Sequence, residues 1–375
     1  SGESNNSYNF DGIEITDMAA TGAATYLPYD AFQEIQVNTQ ASSAEISTPG
    51  VHLNIVTKSG TNQFHGMAAY YYEDGGWQSD NITDELRERG VEEGDEFIEY
   101  NDYSLSLGGP ILRDKLTFFV HYSVQEPNVY PIGYYKTDGS RGNDIVTLEH
   151  YVAKLDWQIT NASKLSANAK WGGKLRPWRN PTTYSLMHEG TLYLQDSETM
   201  IPQVHFSTLF SDKAFLDVSY GQMNMDFPLD YDYDNTLEMP MREYVSAEPD
   251  REPIPDWEYG YHQSYFVYYL YQRDRRQANA NFSYFLDGWI GGDHEFKGGV
   301  SWFDFESNTD VYSPFGLRLG FRYGNPYNIE VRNHPYQQTY SEESMGLYIQ
   351  DTATFGNWTI NLGLRYDYHK GAIPS

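Results

Sequence analysis

Carboxylates at alternate positions are the residues that could bind a metal ion. Asp230, Asp232 and Asp234 precede Asn235, and this spacing is similar to the opening of a calcium-binding loop. Asn235 stands where an EF-hand requires glycine, and Met241 stands where it requires a bidentate glutamate. The pattern excludes an EF-hand. It leaves a structural Ca²⁺ site as one hypothesis and a solvated acidic loop as the simpler interpretation.

Catalytic patterns are weak throughout the chain. Some of the 53 acidic residues must lie in pairs at glycosidase distances by chance alone. The ten histidines show no H-E-x-x-H spacing for zinc, and the sequence from Lys58 to Thr61 lacks the Gly-Lys-Ser/Thr order of a phosphate-binding loop. We therefore expect no enzyme activity and no cofactor other than the Ca²⁺ just described.

Charge is distributed unevenly. The net charge is −28, and residues 73–102 and 226–258 hold twelve and eleven acids against two arginines each. A nucleic-acid-binding protein needs a basic footprint, so this balance argues against that class. The two segments are typical of long solvated loops.

Aromatic residues are concentrated in the second acidic segment. Residues 226–272 contain nine tyrosines, Trp257 and five prolines. Rigid aromatic side chains make good contact surfaces at low entropic cost, so this loop is a candidate site for a ligand or a partner protein. The alternative is a loop that folds back over the rest of its own protein. The candidate residues are Tyr231, Tyr233, Tyr244, Trp257, Tyr259 and Tyr261.

Eleven alternating segments predict the elements that carry these loops. In one of them Leu116, Phe118 and Val120 alternate with polar residues, and a period of two places each set on its own face of a sheet. No uninterrupted apolar run approaches the length of a transmembrane helix. The predicted strands are 62–72, 101–112, 116–125, 148–159, 164–174, 200–210, 214–225, 273–287, 293–305, 343–354 and 358–369.

The connections between these strands alternate in length. Short turns such as Arg113–Lys115 alternate with long loops such as 73–100 and 226–272 through five hairpins. Outer-membrane barrels have short turns on one rim and long extracellular loops on the other. Aromatic residues near the strand ends, such as Trp157 and Trp358, fit the headgroup level of a membrane, although they are also good strand formers. The sequence therefore predicts an all-β membrane barrel.

Several short segments of the sequence resemble segments of a known family. They are FDGIEITD, LPYDAFQEIQV, SAEISTPGVHLNIVTKSGTNQFHG and GGPILRDKLTFFVHY in the first 125 residues, and GLRYDYHKG near the end. They are similar to the plug end and barrel strands of TonB-dependent outer-membrane receptors, in the Oar-like, OmpA-related branch. The resemblance implies a barrel of about 22 strands, closed by a small α+β plug inside its lumen.

The resemblance also divides the chain. It implies that residues 1–61 are the C-terminal part of the plug and that 62–375 are the first half of the barrel, so we expect a partial chain. Other strands, on this or another polypeptide, would complete the wall. Glu34, Lys58 and Arg365 are candidates for polar contacts between plug and wall, since a polar lumen needs charged partners.

The expected function follows from the family. It is uptake of an unidentified ligand across the bacterial outer membrane, with membrane lipid and lipopolysaccharide around the barrel. An inner-membrane TonB complex would supply the energy through a segment missing from this sequence. The alternative is a surface scaffold or adhesin that binds another protein through its acidic, tyrosine-rich loops.

Overall fold

The computed structural model describes residues 6–373 except 21, 40–42, 48–49, 92–93, 133, 137, 180–184, 188–191, 231–240, 245–260, 265–267, 313–316, 323–324, 332 and 334. Almost all of it is β-structure. The only helical pieces in these residues are the short helix α1 (Asp84–Glu88) and two 3-10 turns, Tyr29–Ala31 and Gly75–Trp77. Within the described residues, no helix has the length and apolar character needed to cross a membrane.

The N-terminal residues form a small mixed sheet. Its strands are β1 (Ser7–Phe10), β2 (Ile13–Glu14), β3 (Phe32–Asn38) and β4 (His52–Thr57), in the spatial order β2-β1-β4-β3. Strand β1 is parallel to β4, and the other two pairs are antiparallel. The hairpin between β1 and β2 turns at Asp11 (φ 45°) and Gly12 (φ 83°), where a positive φ favours Gly and is tolerated by Asp. We call this unit the N-terminal sheet.

The remaining strands follow along the chain. They are β5 (His65–Asp74), β6 (Glu96–Leu112), β7 (Leu116–Tyr130), β8 (Tyr134–Lys136), β9 (Asp144–Ile145), β10 (Thr147–Gln158), β11 (Ser163–Arg179), β12 (Ser185–Met187), β13 (Tyr193–Ser211), β14 (Ala214–Asp230), β15 (Met241–Tyr244), β16 (Tyr261–Ser264), β17 (Tyr268–Trp289), β18 (Gly292–Tyr312), β19 (Leu317–Arg322), β20 (Asn325–Val331), β21 (Tyr336–Phe355) and β22 (Trp358–Ala372).

Eleven long strands form one antiparallel sheet, which we call the wall. Its order is β22-β21-β18-β17-β14-β13-β11-β10-β7-β6-β5, and the short strand β9 also pairs with β7. Each of the eleven strands overlaps one predicted from the sequence, so the predicted all-β barrel fold is confirmed. The wall does not close on itself, because β5 and β22 each pair with a neighbour on one side alone.

The two faces of the wall differ in chemistry. On β7, Phe119, His121 and Ser123 are buried, and Phe119 packs against Ala31, whereas Val120 is 42% exposed. The outward residues of the other wall strands are similarly apolar and exposed, as at Leu155, Leu347 and Leu364. A sheet that is apolar on its convex face and polar on its inner face is typical of a membrane barrel.

The long connections form a third sheet. Strands from four different loops pair in the order β20-β19-β16-β15-β12-β8. Since strands of one loop pair with strands of the next, the loops are joined to one another by backbone hydrogen bonds.

Candidate functional site: the interface between wall and N-terminal sheet

Apolar side chains form the centre of the interface. Phe10 of β1 and Ile15, the residue after β2, pack against Ile201 and Met223 of the wall, and all four are fully buried. A second cluster joins Ala31 to Phe119 and Val152. Burying a side chain of this size contributes about 1.5–3 kcal/mol, so these contacts hold the two sheets together.

Ion pairs surround this centre. Arg275 Nη2 lies 2.6 Å from Glu14 Oε2, and Arg273 Nε lies 3.2 Å from Asp17 Oδ1. Both arginines are almost fully buried, and the guanidinium of Arg275 also stacks 4.2 Å above the ring of Phe303. In both pairs the cation belongs to the wall, and the anion belongs to β2 (Glu14) or to the segment that follows it (Asp17).

Asp11 connects three elements through one carboxylate. It accepts hydrogen bonds from the backbone N–H of Thr57 at 3.0 Å and from Asn168 Nδ2 at 2.5 Å. Lys154 Nζ lies 3.7 Å away in an ion pair. The turn at Asp11 and Gly12 is therefore fixed to β4, β10 and β11 together.

Residues 43–46 form a separate point of attachment. Glu45 pairs with Lys297 and accepts a hydrogen bond of 3.1 Å from Asn281 Nδ2. Arg365 Nη1 donates to the carbonyl oxygens of Glu45 at 2.8 Å and of Ala44 at 3.3 Å. This segment thus contacts the wall strands β17, β18 and β22.

The three predicted contact residues differ in position. Arg365 joins the two sheets through the hydrogen bonds just described. Lys58 Nζ donates to the carbonyl oxygen of Asp30 at 2.7 Å, within the N-terminal segment. Glu34 is exposed on β3 and accepts a hydrogen bond of 2.6 Å from Gln36 of the same strand.

Residues 24–32 cover the wall strands β6 to β11 in a different way. Lys170 is fully buried there and donates to the hydroxyl of Thr25, and no described carboxylate forms an ion pair with it. Lys174 Nζ donates to the Tyr26 hydroxyl at 2.7 Å and lies 4.4 Å above its ring. Tyr29 donates to buried Asp102 at 3.1 Å. Residues 24–32 therefore contribute neutral hydroxyl groups to the interface, whereas residues 11–17 and 43–46 contribute carboxylates.

Unsatisfied polar groups are concentrated in the same place. Five buried side-chain N and O atoms without a hydrogen-bond partner in the described structure lie on β6, β7 and β10, among the strands that residues 24–32 cover. They are Ser104 Oγ, both ring nitrogens of His121, Ser123 Oγ and His150 Nδ1. Each such atom costs about 1–3 kcal/mol when dry, so a water molecule that reached these atoms would stabilise them.

A cavity of about 390 Å³ lies between residues 17–26 and the wall. Its lining combines the cations Lys174 and Arg273 with the aromatic rings of Tyr26, Phe227 and Tyr271. The cavity has the size and lining of a small-molecule site, with apolar walls and a few polar groups that could orient a ligand.

The predicted loop site is mostly outside the described residues. Tyr231, Tyr233, Trp257, Tyr259, Asp232 and Asp234 all lie there. Tyr244 and Tyr261 are backbone partners in the pair β15–β16, and Asp230 is an exposed residue at the end of β14. In the described part of the chain, no group of three His, Asp or Glu side chains could hold a metal ion.

The interface residues themselves were not predicted from the sequence, apart from Arg365. One signal was available on β17, where Arg273 and Arg275 alternate in phase with Gln277 and Asn279. Two arginines on the inner face of a membrane strand need anionic partners. Nothing local identifies Asp17 and Glu14 as those partners.

Comparison with known proteins determines the family. The family described as "TonB dependent receptor-like, beta-barrel" matches residues 133–373, and "Outer membrane beta barrel domain" matches residues 56–129. The chain belongs to the TonB-dependent receptor family. It is a protein of the bacterial outer membrane, and the receptors of this family are transporters, not enzymes.

Individual relatives agree with the family. The chain is 33% identical over 122 residues to the TonB-dependent transporter Oar of Myxococcus xanthus. The matched stretch covers 32% of this chain and 11% of Oar. Its structure is similar to the outer membrane transporter YddB from Escherichia coli, with 14% identity and a TM-score of 0.71 over 97% of this chain and 49% of YddB.

A second structure has the same fold. BauA, the ferric preacinetobactin receptor from Acinetobacter baumannii, is 14% identical with a TM-score of 0.62, over 98% of this chain and 50% of BauA. The chain thus spans about half the length of the solved receptors that it resembles.

Proposed function

We propose that this TonB-dependent receptor imports a small ligand through its barrel and that the N-terminal sheet is the plug that closes the lumen. The supporting observation is the ion-paired attachment of that sheet to the inner face of the wall, above all Arg275 to Glu14 at 2.6 Å. A sheet held in this way occupies the path that a ligand must take. In this proposal, the rim of the barrel that carries the long loops faces the outside of the cell. An inner-membrane TonB complex supplies the work that displaces the plug.

The proposed binding site is the cavity of about 390 Å³ lined by Lys174, Arg273 and three aromatic rings. Two cations and one acid, Asp17, line this cavity within a chain of net charge −28, so it favours an anionic ligand once the ligand has passed the acidic loops. BauA is the ferric preacinetobactin receptor of Acinetobacter baumannii. We propose a small anionic chelate as the ligand class here.

The two parts of the interface differ in how their polar groups are paired, and this difference suggests how the plug opens. Residues 24–32 cover buried Lys170 and five unsatisfied polar atoms, whereas residues 11–17 and 43–46 are held by ion pairs. Water entering beneath residues 24–32 would satisfy those atoms. We therefore expect this segment to leave the wall first when the plug is pulled.

Engineered disulfides can test the order of opening, because the chain has no cysteine. A Cβ at Gly221 would lie 2.6 Å from Ile13 Cγ1, so the pair Ile13→Cys and Gly221→Cys can approach disulfide distance. We expect uptake to survive this crosslink if residues 24–32 open alone. Loss of uptake that dithiothreitol restores would show that the whole sheet leaves the wall.

Removal of the plug tests the proposed function itself. We expect the whole receptor to be nearly non-conducting in a planar bilayer and the variant without residues 6–57 to form a large, open pore. Equal conductance of the two proteins would contradict a plug role. Uptake of ferric citrate as a probe, compared between the wild type and Lys174→Gln, then tests the ligand class.

A further inference from the structure

Strand β11 carries a line of three cations on the inner face of the wall. Lys170 and Lys174 are in phase on this face, four residues and about 13 Å apart. Arg179 follows a β-bulge that begins at Arg176, and its partner across the sheet is buried Tyr193. Because a bulge changes the direction of the side chains that follow it, Arg179 lies on the inner face as well. The line runs from the middle of β11 to its end nearest the long connections.

These three cations form no ion pair with a described carboxylate. Lys170 donates to the hydroxyl of Thr25, and Lys174 donates to the hydroxyl of Tyr26. The other cations on the inner face of the described wall each lie within ion-pair distance of a carboxylate. They are Lys154, Lys164, Arg176, Arg273, Arg275, Lys297 and Arg365. The line on β11 therefore differs from the rest of the inner face in having neutral partners.

Arg179 has an unused hydrogen-bond donor. Its Nη1 donates to Gln195, its guanidinium carbon lies 5.1 Å from the ring centroid of Phe227, and its Nε is buried without a partner in the described structure. Phe227 lines the cavity of about 390 Å³ that is the proposed ligand site. Arg179 therefore lies next to that cavity, on the side of the long connections.

The inner end of the line lies beneath residues 24–32. A Cβ at Gly172 would lie 2.5 Å from Lys170 Nζ and 2.9 Å from His150 Nδ1, so the two nitrogen atoms are close together above this glycine. The imidazole is almost fully buried, and its Nδ1 has no hydrogen-bond partner in the described part of the chain. Thr25, Gly172 and His150 all line the cavity. The cavity thus ends at the hydroxyl group that covers Lys170.

A buried cation without a counter-charge is unfavourable, and an anion that replaces its neutral partner removes that cost. We propose that Arg179, Lys174 and Lys170 bind an anionic oxygen group of the ligand, such as a carboxylate, one after another. The ligand moves inward along β11 and passes between the wall and residues 24–32, where its oxygen replaces the Thr25 hydroxyl at Lys170. This inference rests on the proposed function, because it requires an anionic ligand that enters from the side of the long connections.

The charge preference of a thiol reagent measures this line in the whole receptor. The chain has no cysteine, so Thr25→Cys places a reporter thiol beside Lys170. The thiolate attacks a methanethiosulfonate, a mixed disulfide forms and methanesulfinate leaves. One reagent carries a sulfonate group and the other carries a trimethylammonium group. Each rate is followed by mass spectrometry of the labelled peptide and is divided by the rate of the same reagent with free 2-mercaptoethanol.

We expect Thr25→Cys to favour the sulfonate reagent at least ten-fold over the ammonium reagent. Thr61→Cys, at an exposed position between β4 and β5, should show no such preference. Ser197→Cys replaces the reporter if Thr25→Cys does not fold, since Ser197 lines the same cavity and pairs with Lys174 across the sheet. The same preference at the reporter and at Thr61→Cys would overturn the proposal.

Neutral variants identify the cations responsible. We expect Lys170→Met and Lys174→Gln each to lower the preference at Thr25→Cys at least three-fold. Lys164→Gln is the matched control, because Lys164 is on the same face of β11 but pairs with Asp156. A change in the reactivity of the thiol alters both rates alike, so a structural disturbance leaves their ratio unchanged. An unchanged ratio in Lys170→Met or Lys174→Gln would overturn the proposal.

Arg179→Gln tests the route of the ligand. Arg179 is nine residues and about 30 Å along the strand from Lys170, whereas charges are screened over about 10 Å at 0.1 M salt. We expect the sulfonate reagent to react with Thr25→Cys at least two-fold more slowly in this variant, because it passes Arg179 on its way inward, and the ammonium reagent to react as before. Unchanged rates of both reagents would overturn the route. The conductance comparison tests the plug separately, so failure of the plug role and failure of this inference are distinguishable.

Discussion

Arg275 and Glu14 form a buried ion pair of 2.6 Å between residues that are 261 positions apart in the sequence. The arginine extends from the middle of β17 and the glutamate from β2. A charge-assisted hydrogen bond of this length is specific in geometry as well as favourable in energy. The pair therefore fixes where the N-terminal sheet lies against the wall.

Replacing Arg275 by Gln should weaken the attachment of the N-terminal sheet. Glu14 would keep its charge without its partner, and breaking a buried pair from one side costs about 3–5 kcal/mol. Hydrogen exchange of residues 7–14 in the folded receptor measures the effect. Arg276→Gln is the matched control, because Arg276 is the next residue on β17 and is exposed. Equal exchange in both variants would contradict the role of the pair.

Asp11 is expected to be more sensitive to Ala than to Asn. Asn keeps an acceptor for the Thr57 N–H and tolerates the positive φ of 45°, whereas Ala loses both. We expect Asp11→Asn to cost about 1 kcal/mol less than Asp11→Ala, as neutral hydrogen bonds contribute about that much. Urea titration followed by protease sensitivity of residues 7–57 gives the comparison. Equal midpoints would show that the ion pair with Lys154 is the main contribution of Asp11.

The sequence predicted the wall well and the interface poorly. The strand predicted at 116–125 begins where β7 begins, at Leu116, because apolar alternation identifies the lipid-covered part of a strand. The same strand continues to Tyr130, and β13 begins at Tyr193, seven residues before the predicted Met200. These extensions lie beyond the apolar band, where neither face needs to be apolar.

Pairing across the interface is a different kind of problem. Asp11, Glu14 and Asp17 are three of many acids, and nothing local distinguishes them from acids in solvated loops. Their partners are determined by how the N-terminal sheet lies against β10, β11 and β17. Arg365 was predictable because a single arginine opposes apolar residues on a strand. Its contact with the carbonyl oxygens of residues 44–45 depends on the folded chain.

His52 should make the N-terminal sheet less stable in acid. Burial lowers its pKa, against an opposing effect of Glu14 and Glu45, and its Nδ1 lies 3.3 Å from both Ser7 Oγ and the amide donor of Asn9. Protonation is therefore easier in the unfolded chain. The contribution of neutral His52 to the stability of the N-terminal sheet is complete above pH ~6.5 and is lost as the pH falls below that value.

The measurement compares hydrogen-exchange protection factors of residues 7–10 at pH 7.5 and 5.0, for the wild type and for His52→Asn. We expect a smaller loss of protection in the variant. An equal loss in both proteins would assign the pH dependence to other groups.

Gly221 allows the N-terminal sheet to approach the wall closely. A Cβ at this position would lie 2.6 Å from Ile13 Cγ1, so Gly221→Ala must displace Ile13. Overpacking of this kind costs about 1–3 kcal/mol. Gly298→Ala is the control, because its nearest contact would be an ordinary 3.4 Å to the carbonyl oxygen of Tyr348. Faster exchange at residues 13–17 in the first variant but not in the second is the expected result.

Leu362 and Asn361 test the orientation of the wall in the membrane. They are neighbours on β22, where Leu362 lies on the outer apolar face with Leu364 and is 70% exposed. An arginine near the middle of the lipid-facing band costs about 2–4 kcal/mol, whereas the inner face is polar and tolerates charge. We expect Leu362→Arg to reduce the amount of folded receptor in outer-membrane fractions several-fold and Asn361→Arg to have little effect. Equal losses, or a larger loss from Asn361→Arg, would mean that Leu362 does not face lipid.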